Sequence, residues 1–220
     1  GWQNYLTLAA TTSKTIMSSG LYQIVRTNPT YFLTGYPLYY KAQFITEDLT
    51  ANKECILPRI FITNLVTTRQ SGSAFGAGYG VSKDLVEDFL CTDGLPIALS
   101  PLYKGDDSSY MEMTNRDPRL RNMMDNKVNP FYINKGVLQV YPVSPVTVSV
   151  CPTGYLLSKF RDPNPATNEA NATSYDWNIF RYAEVLLIFA ESKAELGTIT
   201  QADLDASINF SCANLDISLI

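Results

Sequence analysis

FRYAEVLLIFAESKAELG, residues Phe180–Gly197, is the stretch from which the rest of the chain can be read. From Arg181 to Leu196, Ala183, Leu186, Leu187, Ala190 and Ala194 recur at helical spacing and form one apolar stripe. Val185, Ile188 and Phe189 widen that stripe, so the spacing predicts a helix packed on more than one side. Gly197 stands where a C-cap belongs, since glycine enters the left-handed conformation without a Cβ penalty. Thr200, with Asp203 three residues later, has the spacing of a capping box and predicts a second helix. Helix, tight turn and helix make a helical hairpin.

Upstream, Trp2 to Ser19 predicts another helix, with Tyr5, Leu8, Ala9, Thr12 and Ile16 at spacings of three and four and Gly20 as its stop. Leu21 to Val25 reads as an extended exit, and residues 31–40, rich in Tyr, Gly and Pro, as an irregular loop. Residues 52–63 predict a strand pair, or one strand bent at Pro58, because proline cannot donate to a ladder. The run GSAFGAGYG, residues 72–80, is not followed by Gly-Lys-Ser/Thr and lacks a strand–GxGxxG–helix register. It therefore reads as a flexible or ligand-facing loop and not as a nucleotide cradle. Ser82 caps a predicted helix that carries Leu85, Val86 and Phe89 and ends near Asp93-Gly94. Pro118 suits the first turn of another. Residues 137–150 are β-rich but broken by Pro142 and Pro145, and residues 161–177 read as a long polar surface loop.

Composition removes several chemistries. The 220 residues include no histidine, which excludes Ser-His-Asp and Cys-His catalysis and histidine zinc sites. Cys55, Cys91, Cys151 and Cys212 are far apart and form no CxxC pair, so small buried hydrophobes are the expected role, with disulfides left open. A net charge of −4 without a basic stripe argues against a nucleic-acid partner. No apolar run approaches the roughly 18 residues needed to span a bilayer. The chain starts at Gly1 without a signal-like segment, so any address or anchor is expected outside this sequence.

Six segments, in order, look like SusD/RagB family sequence, the last of them running from the Phe180–Gly197 helix into its partner TQADLDASIN, residues 200–209. They are AATTSKTIMSSGLYQIV at 9–25, NKECILPRIF at 52–61, SKDLVEDFLCTDGLPI at 82–97, RDPRL at 116–120 and PTGYLLSKF at 152–160, with RYAEVLL at 181–187 as the clearest. After Asn209 the chain departs from the family's arginine-containing pattern and reads FSCANLDISLI. The resemblance implies a mostly α fold, with TPR-like helical hairpins packed against an irregular, loop-rich lobe that carries a few short β-strands. Within one SusD-like domain, of which this would be the C-terminal portion, it divides the chain into four parts. A TPR-type helix and exit occupy 1–25, the ligand-facing lobe 26–177, the hairpin 178–209 and an atypical tail 210–220.

The resemblance further implies a lipid-anchored protein on the outer face of the outer membrane, with the anchor and signal peptide outside this sequence. Such a protein captures oligosaccharides or polysaccharides, or peptides in the RagB branch, and hands them to a SusC-type TonB-dependent transporter. It is not an enzyme. A sugar binder needs aromatic faces for pyranose rings, with polar groups beside them for hydroxyls. The candidate platforms are Tyr36, Tyr39 and Tyr40; Phe75 and Tyr79; Tyr103 and Tyr110; and Tyr175 with Trp177. Trp177 stands out because it ends a polar loop immediately before the strongest helix. Arg181 and Glu184, three apart, are expected to pair on that helix. Glu191 and Glu195 could be read as a glycosidase carboxylate pair, but a solvated helix face is the expectation. Asp106-Asp107 and the residues between Asp162 and Asp176 could hold calcium, although neither has EF-hand spacing.

Overall fold

The structure is a computed structural model that describes residues 1–25, 39–68, 80–124, 130–134, 137–140, 151–160, 162, 165–168 and 172–212. Its longest elements are α1, Trp2–Ser18, and α6, Tyr182–Glu195, which pack against each other. On α6 the buried apolar side chains are Tyr182, Val185, Leu186, Phe189 and Ala190. Of these, Tyr182, Val185 and Leu186 meet Ile16 and Met17 of α1, together with Tyr22, Ile24 and Ile56. The seam is displaced from the predicted stripes. Leu187 stays 54% exposed on α6, and Tyr5 and Leu8 stay 78% and 64% exposed on α1, which instead buries Ala10 and Ser13. Small residues at the seam let the two backbones approach closely.

The hairpin ends as expected. Gly197, at φ +66°, donates its N–H to Ala194 at 2.8 Å, and Thr198 donates to Lys193 at 2.9 Å. These two bonds make a Schellman motif that satisfies the last carbonyls of α6. Thr200 and Asp203 form a capping box that opens α7, Gln201–Ala206, and α8, Ile208–Cys212, follows after a break at Ser207. The second helix of the predicted hairpin is thus two short helices.

The remaining elements are short. They are α2, Tyr39–Ala42; β1, Cys55–Arg59; α3, Lys83–Asp88; α4, Ser109–Glu112; α5, Pro118–Met123; β2, Pro130–Asn134; β3, Val137–Val140; a 3-10 turn, Pro165–Asn168; and β4, Trp177–Arg181. Ser82 accepts from Leu85 N at the start of α3, and Asp117 caps α5 with Pro118 in the first turn. Strands β2 and β3 pair antiparallel, as do β1 and β4, the latter with register shifts on both sides of Leu57. Pro58 lies next to such a shift, the kind of irregular strand position at which proline is tolerated.

Two expectations are corrected here. Trp177–Arg181 is a strand and not a loop end, because β1 supplies the partner that local sequence cannot reveal. The segment before it is polar yet buried: Thr173, Ser174, Tyr175 and Asp176 are all below 4% exposed. Asp176 explains why, since its carboxylate accepts the N–H of Leu49 at 3.1 Å and of Phe61 at 2.9 Å and so staples two distant loops. Cys55, Cys91 and Cys151 are buried free thiols. Among the described residues no helix is long and apolar enough to cross a membrane.

Candidate functional site

A row of aromatic rings runs from α2 to the start of β4. A spacing of four places Tyr40 and Phe44 on one side of the α2 turn, and their rings meet edge-on at 5.4 Å. Phe44 contacts Phe160 edge-on at 5.8 Å, and Phe160 lies nearly parallel to Trp177 at 6.5 Å. Phe61 closes the row against Trp177 at 6.3 Å. These are the offset and edge-to-face arrangements that ring quadrupoles favour. Trp177 keeps 46% of its surface exposed, so a supported indole face stands open to solvent.

Cations lie along the row. Lys159 Nζ sits 4.0 Å from the centre of Phe44 and 5.6 Å from those of Tyr40 and Phe160. The Arg181 guanidinium lies 5.4 Å from Phe44 and 5.8 Å from Tyr40. Arg59 stands 5.5 Å over Phe61. Burial, reinforced by the neighbouring Arg181 charge, pulls Lys159 down to about 8. Burial likewise raises Tyr40, against the opposing pull of Arg181 and Arg119.

Arg181 is held by Glu54, with Nη1 3.2 Å from Oε1, and the expected pairing with Glu184 is not made. Glu54 Oε2 accepts from Val25 N at 2.8 Å and from Gln43 Nε2 at 2.9 Å. Burial raises the Glu54 pKa despite these partners. Tyr40, Glu54, Arg119 and Arg181 line a cavity of about 290 Å³ whose apolar wall includes Leu187 and Ile208. That is near the lower end of small-ligand pockets and suits a group about the size of one ring. Tyr40 and Arg119 also border a second hollow of about 330 Å³ with Asp117 and Met123. Arg119 is fixed there by Asp117 through Nε at 2.9 Å.

Among the sequence candidates, this row brings together Trp177 and Tyr40. Tyr39 opens α2 beside Tyr40, while Tyr36, Phe75 and Tyr79 lie outside the described residues. Tyr103 is elsewhere, its ring under the Arg116 guanidinium at 5.5 Å, and Tyr110 is half exposed on α4. Tyr175 is corrected: it is 1% exposed, packs with Ala42 and Ile45 and donates its hydroxyl to Asp162, so it has no face for a ligand. Asp106 is taken by Lys83 at 2.6 Å, which lowers its pKa. Glu191 and Glu195 lie on the exposed side of α6. Among the described residues no group of three His, Cys, Asp or Glu side chains could hold a metal ion. Sequence reading did not single out Phe44, Phe61, Lys159, Phe160 or Arg59. The four-residue step from Tyr40 to Phe44 and the adjacent Lys159-Phe160 pair were the available signals.

The family model and the solved structures point the same way. The model of the SusD family matches residues 58–209. Among solved structures, a SusD-like carbohydrate-binding protein from Bacteroides fragilis superposes with a TM-score of 0.71 at 23% identity, over 99% of this chain and 42% of its own. A second SusD-like protein from the same organism gives 0.67 at 20% identity, over 96% of this chain and 43% of its own. A SusD homologue from Bacteroides thetaiotaomicron gives 0.57 at 17% identity, over 99% and 39%. The chain therefore spans less than half the length of these relatives. No curated protein matches by sequence.

Proposed function

This chain belongs to the SusD family, and from that premise we propose that it serves in a cell-surface protein that captures glycans and delivers them to a SusC-type TonB-dependent transporter. The observation that carries the reading is the exposed Trp177 face, braced by Phe160 and Phe61 and flanked by cationic donors. A pyranose ring presents an apolar face to such an indole, and arginine or lysine donors beside it suit sugar hydroxyls. The similarity to the SusD-like carbohydrate-binding protein of B. fragilis supports the same class of ligand. We place the protein on the outer face of the outer membrane, held by a lipid anchor, with the lobe between α1 and α6 as the ligand-facing part.

The reading is capture without cleavage. The buried carboxylates near the row are committed to structure: Glu54 to Arg181, Gln43 and Val25, and Asp176 to two backbone N–H groups. The test is retention of the chain by a panel of immobilised polysaccharides, with released sugars measured in the same samples. Retention without release, weakened about tenfold or more by Trp177→Ala, is the expected result. Release of sugars would replace capture with hydrolysis. Binding of peptides but no polysaccharide would move the protein to the RagB-like branch.

A further inference from the structure

Among the described residues the charge around Tyr40 does not cancel. Three cations, Arg119, Lys159 and Arg181, stand beside or border Tyr40, and two carboxylates, Glu54 and Asp117, face them. Glu54 is spent on Arg181 and Asp117 on Arg119, both at ion-pair distance. Lys159 is left with ring faces. Among the described residues no carboxylate or carbonyl pairs with its Nζ, and its one strong charged neighbour is another cation. Rings attract an ammonium through their quadrupoles, but they leave its three N–H donors without lone pairs of ordinary strength. A part-buried cation in that condition is a site for an anion.

We propose that Lys159, backed by Arg181, receives the anionic substituent of an acidic glycan, a uronate carboxylate or a sulfate ester, while Trp177 receives a sugar ring of the same chain. One ring, Phe160, separates the ammonium from the platform, since it contacts Lys159 on one side and stacks on Trp177. Arg181 reaches the same row from the other end of β4, its guanidinium 5.4 Å from Phe44, which contacts the Phe160 ring that stacks on Trp177. These 220 residues together carry −4, so their general electrostatics repel a polyanion. A preference for acidic polymers would therefore be local to this cluster. The inference rests on the capture reading and sharpens it by naming the ligand class.

The experiment measures affinity of the chain for polygalacturonate and for dextran sulfate, each against its uncharged counterpart, methyl-esterified polygalacturonate or dextran. At least one acidic polymer is expected to bind about tenfold tighter than its counterpart, the scale of one charge-assisted hydrogen bond. Lys159→Gln should bring that ratio close to one, whatever it does to the affinity for the uncharged polymer. Lys159→Arg should preserve it. Melting curves of both variants, matching or exceeding the parent, guard against unfolding. Equal affinity for charged and uncharged polymers, or a preference that survives Lys159→Gln, overturns the inference and leaves capture standing. Binding of no polymer of either kind overturns both.

Discussion

Arg181 and Glu54 meet at 3.2 Å where β4 ends and α6 begins, with the Glu54 side chain 2% exposed and that of Arg181 23%. The pair ties the start of the main helix to the chain leading into β1, and its carboxylate also anchors Val25 and Gln43. Removing one partner of a buried pair costs more than the pair contributes, because the other charge is stranded. Arg181→Met should therefore lower stability by about 2–4 kcal/mol, measured by urea denaturation. Glu54→Gln should cost less, about 1–2 kcal/mol, since the amide can keep part of the hydrogen bonding.

Arg116 should be among the least replaceable residues of the lobe. It is 1% exposed and donates from Nη1 to Glu112 O at 3.1 Å and from Nη2 to Phe89 O at 2.8 Å and to Val86 O. These bonds hold α3, α4 and the approach to α5 together. Arg116→Met would fill much of the space but leave the carbonyls unpaired, at a cost of about 3 kcal/mol. Arg116→Lys should recover only a fraction, because one ammonium cannot span the same fork of acceptors.

Lys159 gives the protein a specific dependence on pH. Folded, it releases its proton at about 8, against an ordinary value of 10.5. Between these values the unfolded chain holds more protons, so stability rises with pH through that window. Below about 8 both states are protonated and the cost of burying the charge is present in full. Lys159→Met should be more stable than the parent at pH 7 by about 1 kcal/mol, a magnitude reduced by partial solvation. The difference should shrink as pH approaches 10, which denaturation at pH 7 and 9.5 would show. A variant that is destabilised equally at both values would refute the assignment.

The hairpin termini should behave as local elements. Gly197→Ala places a Cβ at φ +66° and should cost about 1 kcal/mol. Thr200→Ala removes the side-chain half of the capping box and should cost about the same. Hydrogen exchange should accelerate in α7 and the end of α6 while α1 remains protected, because neither change touches the α1–α6 seam.

The elements legible from sequence are those whose causes lie within a few residues. Gly197, Thr200 with Asp203, and Ser82 each mark a helix end through a bond to a near neighbour, Pro118 marks one through its fixed φ, and each helix end is found there. Strand β4 was not legible, because WNIFR has no clean alternation and its partner, Cys55–Arg59, is more than a hundred residues away. The same distance hid the role of Asp176, whose acceptors lie in two remote loops. Tyr175 looked like a surface ring beside Trp177, and only the reach to Asp162 and the contacts of Ala42 and Ile45 put it inside. Trp177 itself was legible as an aromatic at the edge of a polar segment. Its supporting rings were not, since Phe44, Phe61 and Phe160 come from three separate stretches.

Strand β4 passes into α6 without an intervening loop: Arg181 is the last residue of one and the N-cap of the other. No loop therefore lies between the indole at one end of the strand and the 14-residue helix beyond the other. A load on Trp177 is borne by the helix axis itself, like a handle welded to its shaft. Ligands that pull the indole aside would shift α6 and, with it, α1, whereas ligands that settle on it undisturbed would leave both at rest.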